Sequence, residues 1–114
     1  MRHDEYLRHD ATALAALVRA GEVSAAELLE LALARASAVQ PRINALVRAM
    51  EEQARAQIAA GLQGPLAGVP FLLKDSLQDY AGVPTGHGSR ALQHWVPTRH
   101  AATTRHRSIR RRCV

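Results

Sequence analysis

The stretch Gly64-Pro65-Leu66-Ala67-Gly68-Val69-Pro70-Phe71-Leu72-Leu73-Lys74-Asp75 constrains this chain more than any other. Glycines and prolines set a rigid turn, because proline fixes its own backbone angle and glycine takes angles that other residues avoid. A short, continuously apolar run follows over residues 69–73. Such a run, bounded by turn signals, reads as a strand buried on both faces, as in a sheet covered by helices. It ends on Lys74, the only lysine against fourteen arginines. Arginine stays protonated in proteins, whereas a lysine among apolar groups can give up its proton and act as a base. The alternative is a lysine that closes an edge strand with its ammonium in water.

The segments before this stretch read as helices. Asp10 can cap a helix over residues 11–20, with Leu14, Leu17 and Val18 on one face and Gly21 as its stop. Ser24-Ala25-Ala26-Glu27 is a capping box that starts a second helix, and Pro41 is expected to end it. Residues 41–47 read as a turn into a short strand. Residues 51–60 read as a third helix with acids in its first turn and Gly61 past its end. Residues 1–9 are polar and read as frayed or loosely docked. The expectation is an α/β arrangement of about three helices and one or two strands, an incomplete sheet that leaves apolar faces uncovered.

The formal charge of +5 suggests a nucleic-acid binder until it is located. Residues 1–98 carry nine basic and ten acidic side chains, while residues 99–114 carry six arginines and no acid. The basicity belongs to the tail, which reads as solvated and disordered. A basic-tailed nucleic-acid-binding module is the competing class, but no aromatic residues interleave the arginines to stack on bases. No apolar run is long enough to cross a bilayer, and the charged start has no signal-peptide core. With Cys113 as the single cysteine, these features favour the cytoplasm. His87, His94, His100 and His106 form no compact ligand pattern, so neither a metal nor a cofactor is expected. Gly82, Pro84, Gly86 and Gly88 mark a loop of unusual backbone angles, without the Gly-Lys-Ser/Thr of a phosphate loop.

Taken together, Gly64-Pro65-Leu66-Ala67-Gly68-Val69-Pro70, Lys74-Asp75, Gly82-Val83-Pro84-Thr85 and Gly88-Ser89 resemble the N-terminal part of the amidase signature family. Upstream, Ser24, Glu27-Leu28-Leu29 and Pro41-Arg42-Ile43-Asn44-Ala45 agree with it. The resemblance covers about residues 10–98 and implies the N-terminal portion of an α/β/α fold. It implies hydrolysis of a small-molecule carboxylic amide by a Ser–cis-Ser–Lys triad, with Lys74 in the position of the lysine. Asp75 then has a positioning or structural role, since extended chain turns consecutive side chains to opposite faces. Within the same family, the alternative is a fragment of the A-type component of a glutamyl-tRNA(Gln) amidotransferase.

The departures from the family pattern are as informative. The family's two serines lie in a Gly/Ser-rich segment downstream of Lys-Asp, and this chain has no such segment. Ser76 and Ser89 are near Lys74 in sequence but lack the nucleophile context. From about residue 101 the arginine-rich run leaves the family pattern, which reads as a truncated domain. A base without its nucleophile implies that these 114 residues alone are inactive.

Overall fold

The computed structural model describes residues 1–105, as two compact units: Met1–Phe71 and residues 72–105. The arginine-rich run beyond, with Cys113, lies outside the described residues.

The first unit is built from four helices, α1 (His3–Tyr6), α2 (Ala11–Ala20), α3 (Ala25–Ile43) and α4 (Glu51–Ala59). The three expected helices form, and α2 and α3 start on the caps read for them. The Asp10 carboxylate accepts the Ala13 N–H at 2.8 Å and opens α2. Gly21, at φ 74°, closes it, with Gly21 N–H on Val18 C=O and Glu22 N–H on Leu17 C=O. The capping box of α3 is complete. Ser24 Oγ accepts the Glu27 N–H at 3.1 Å, and Glu27 Oε2 accepts the Ser24 N–H at 2.8 Å.

α3 carries the core on two of its sides. Leu28, fully buried, packs with Leu14, Ala15, Val23 and Val69. Ala25 and Leu29 pack with Leu33, Ala54, Ile58 and Leu62, which seats the thin apolar face of α4. The N-terminal residues dock at two points, Met1 and Tyr6 against the Leu28 cluster, and Glu5 caps the start of α1 by accepting the Arg2 N–H at 2.7 Å. Gly68 is placed where only glycine fits. Its φ is +85°, and a Cβ there would stand 3.0 Å from Val18 Cγ1 and 3.1 Å from Ala25 Cβ.

Three expectations are corrected. Pro41 does not end the second helix, which runs through it to Ile43. Pro41 lies in the last turn, so the hydrogen bond it cannot donate and the crowding by its ring fall at the end of the helix, with only Arg42 and Ile43 beyond. The stop is Asn44, left-handed at φ 45°, whose N–H bonds Gln40 C=O at 2.8 Å. The Gln40 side chain then brackets the Leu46 backbone, donating to its C=O at 2.7 Å and accepting from its N–H at 2.9 Å. Residues 41–47 hold no strand, and Val47 is 73% exposed. Residues 69–73 hold none either, so the described residues are helical without a sheet and the α/β expectation is not met by them. The reason is a missing partner. A strand exists through its ladder, and among the described residues no backbone hydrogen bond joins Phe71, Leu72 or Leu73 to another segment. Val69 is buried at the start of the run, whereas Leu72 is 75% exposed.

The second unit is held differently. Segments 79–85 and 95–101 run antiparallel, joined by Ala101 N–H to Asp79 C=O (2.9 Å), Gly82 N–H to Pro97 C=O (3.0 Å) and Thr85 N–H to Trp95 C=O (3.1 Å). Pro84 and Pro97 have no N–H to give and Gly82 stands at φ 80°, so the bonds stay isolated and no ladder forms. Three successive turns close the far end, Gly86 C=O to Ser89 N–H, Ser89 C=O to Leu92 N–H and Leu92 C=O to Trp95 N–H. Val83, Thr85 and Thr104 are buried. The segment expected as a tail from residue 99 begins with ordered contacts: a single turn, α5 (Ala102–Thr104), follows Ala101. Uncovered apolar side chains are present as expected, Leu72, Leu77, Leu92, Trp95 and Val96 among them. No helix of the described residues is long and apolar enough to cross a membrane.

Candidate active site

Lys74 stands in the second unit, exposed, directly before a turn over residues 75–77. Its own N–H donates to the Gln78 side-chain oxygen at 2.9 Å. That bond closes a tight loop through Leu77, which takes the left-handed conformation at φ 62° and points 79% of its surface to solvent. Leucine gains nothing from this angle, and the sequence held no glycine or asparagine to announce it.

Asp75, half-buried, turns its carboxylate to the glycine-rich loop. Asp75 Oδ1 accepts the Gly86 N–H at 3.0 Å. A Cβ at Gly86 would stand 3.3 Å from Asp75 Oδ2, so the missing side chain is what lets the carboxylate approach. The next two residues, His87 (φ 52°) and Gly88 (φ 69°), are both left-handed. The loop read from its glycines as irregular is irregular. His87 Nε2 lies 3.7 Å from Asp79 Oδ1, too far for a hydrogen bond, and its ring is 5.7 Å from that of Trp95. Asp79 Oδ1 is buried and makes no hydrogen bond.

The two serines nearest in sequence do not engage the lysine. The Ser89 hydroxyl accepts the Ala91 N–H at 3.2 Å within its own turn, and Ser76 is half-buried without a bond to Lys74. Among the described residues, no serine hydroxyl is hydrogen-bonded to the Lys74 amine. His100, read as one of several scattered histidines, is a structural acceptor. Its Nδ1 takes the Ala81 N–H at 3.1 Å while its ring meets Tyr80 edge-on at 4.7 Å. Nothing in local sequence marks that role, because donor and acceptor lie nineteen residues apart. Among the described residues, no three His, Cys, Asp or Glu side chains converge to hold a metal ion.

The arrangement offers a lysine amine reaching into solvent from a short segment clamped on both sides. Among the described residues, no serine hydroxyl accompanies it within hydrogen-bond reach. Comparison with known proteins places this segment. The Amidase family model matches residues 27–107. The chain is 52% identical over 69 residues to the 6-aminohexanoate-cyclic-dimer hydrolase of Pseudomonas sp. (strain NK87), covering 60% of this chain and 14% of that protein. It is 40% identical over 101 residues to the A-type component of the glutamyl-tRNA(Gln) amidotransferase of Acidothermus cellulolyticus, covering 82% of this chain and 20% of the relative. Superposition on the solved structure of 6-aminohexanoate cyclic dimer hydrolase with its substrate gives a TM-score of 0.64 at 46% identity, over 68% of this chain and 16% of that one. The chain thus spans about a fifth or less of the length of these relatives. With the family's pattern matched across most of its length, this chain belongs to the amidase signature family.

Proposed function

We propose that these residues are the lysine-bearing portion of a hydrolase that cleaves a small carboxylic amide to acid and ammonia, with Lys74 as the base of a Ser–cis-Ser–Lys triad. The observation that carries this reading is the family match across the Gly64–Asp75 segment, which ends on the chain's one lysine. The chemistry asks for a neutral amine. Lys74 would accept a proton from a bridging serine, which takes it from the nucleophilic serine as that oxygen attacks the amide carbon. Backbone N–H groups would hold the oxyanion. The C–N bond then breaks, the leaving nitrogen takes the proton, and water cleaves the acyl-serine ester to release the acid. Both serines must come from outside these 114 residues, so the chain alone is expected to release no ammonia.

A chimera tests the assignment. Residues 10–98 would replace the matching N-terminal portion of 6-aminohexanoate-cyclic-dimer hydrolase. The chimera is expected to hydrolyse the cyclic dimer, and Lys74→Arg to lower kcat by about a thousandfold or more. A Lys74→Arg chimera that turns over like its parent would refute the role of Lys74. The amidotransferase relatives support a second reading, in which the ammonia is passed to a tRNA-bound acyl group. The same segment grafted into the A-type component of that amidotransferase, then assayed for glutamine-dependent transfer, separates the two.

A further inference from the structure

The Lys74 segment has no sheet to hold it. No ladder runs through residues 71–73, and Leu72 and Lys74 both face solvent. Two side chains hold it instead. Gln78 fixes the Lys74 N–H at 2.9 Å, and the Asp75 carboxylate fixes the Gly86 N–H at 3.0 Å, eleven residues away. The second bond joins a carboxylate to a backbone donor, the stronger class of hydrogen bond. It also reaches a loop whose geometry is already fixed by the left-handed His87 and Gly88. Asp75 opens the turn over residues 75–77 and is bonded covalently to Lys74. With the Asp75 carboxylate held on Gly86 and the Lys74 N–H held on Gln78, the backbone is pinned on both sides of the Lys74 Cα, which limits the directions in which its side chain leaves.

We infer that Asp75 is the positioning residue for Lys74, acting through a carboxylate tether to the Gly86 N–H. This rests on the reading of Lys74 as the base for its catalytic meaning, but its geometry can be tested without turnover. The single lysine gives one set of side-chain signals after 13C-lysine labelling, and 15N labelling reports the Gly86 amide.

The experiment compares the full 114-residue chain with Asp75→Ala, Asp75→Asn and Gly86→Ala. Asp75→Ala is expected to speed Gly86 amide exchange by about tenfold or more and to shift the Lys74 signals. Asp75→Asn keeps an oxygen that can accept the same N–H, so it should restore both readouts to near wild type. Gly86→Ala leaves the carboxylate in place but inserts a Cβ 3.3 Å from Asp75 Oδ2, and should move Lys74 as Asp75→Ala does. Gly86 is not left-handed, so alanine is tolerated by its backbone. Protection of the Gly82 and Ala101 amides, which bond Pro97 C=O and Asp79 C=O, reports whether the second unit is folded in each variant; if it is not in Asp75→Ala, Gly86→Ala decides. Gly86 exchange unchanged in Asp75→Ala, or Lys74 signals unmoved in the folded variants, overturns the assignment. An inactive chimera with these NMR results intact would refute the amidase reading and leave the tether standing.

Discussion

In Met1–Phe71 the backbone is satisfied mostly by its near neighbours, through four helices, of which α2 and α3 carry side-chain caps at their starts and left-handed stops at their ends. In residues 72–105 it is satisfied by single bonds between distant loops and by side chains: Gln78 on Lys74, Asp75 on Gly86, His100 on Ala81. The first unit buries Leu14, Val23 and Leu28 in one cluster and Ala25 and Leu29 in another, while the second buries Val83, Thr85 and Thr104 and leaves five large apolar side chains open. The contrast follows from pattern. Helical periodicity and caps are local signals that build a core on their own terms. A chain broken by Gly82, Pro84, Gly86, Gly88 and Pro97 has no period to follow and must be pinned point by point.

Three measurements would break or sharpen that contrast. The largest effect should come from Leu28→Ala. The side chain is fully buried at the centre of the first unit, so the cavity is expected to cost about 2–5 kcal/mol in a denaturant titration. A cost near zero would mean that the first unit's core is not organised around α3. Next is Leu77→Gly in the second unit. Leu77 holds a left-handed angle with almost no burial to offset it, so glycine should stabilise by about 0.5–1 kcal/mol, net of its own entropy. Amide exchange of Lys74 should slow accordingly, and faster exchange would show that the leucine is held by contacts worth more than its strain. The smallest effect is the acid limb of stability set by the capping box. The Ser24 N–H, then the Ser24 hydroxyl, hold the Glu27 carboxyl below the usual carboxylate range. A carboxyl lowered on folding stabilises the fold above its unfolded pKa and loses that contribution as pH falls through the lower folded value. Glu27→Gln should therefore flatten the fall in stability on the acid side without steepening it elsewhere.

How much could be read from residues alone divides along the same line. Asp10, Gly21, Ser24 and Glu27 each act at three or four residues' reach, and α2 and the start of α3 were legible from them. Pro41 misled because its effect depends on how much helix remains beyond it, which no local rule states. The strand expected at residues 69–73 required a partner strand, and a strand's existence is not a property of its own sequence. Lys74 was legible as a candidate because it is unique in the chain and follows a rigid turn. Its support was not. That Asp75 would find Gly86, or His100 find Ala81, depends on how the loops close in space, and the residue types alone allow many such pairings.

A lone exposed lysine at the entrance to the second unit also has a practical consequence. An endoprotease that cleaves only after lysine has a single target bond in this polypeptide, between Lys74 and Asp75. One cut would divide the chain just past the start of its second compact unit, with a new C-terminus at Lys74 and a new N-terminus at Asp75.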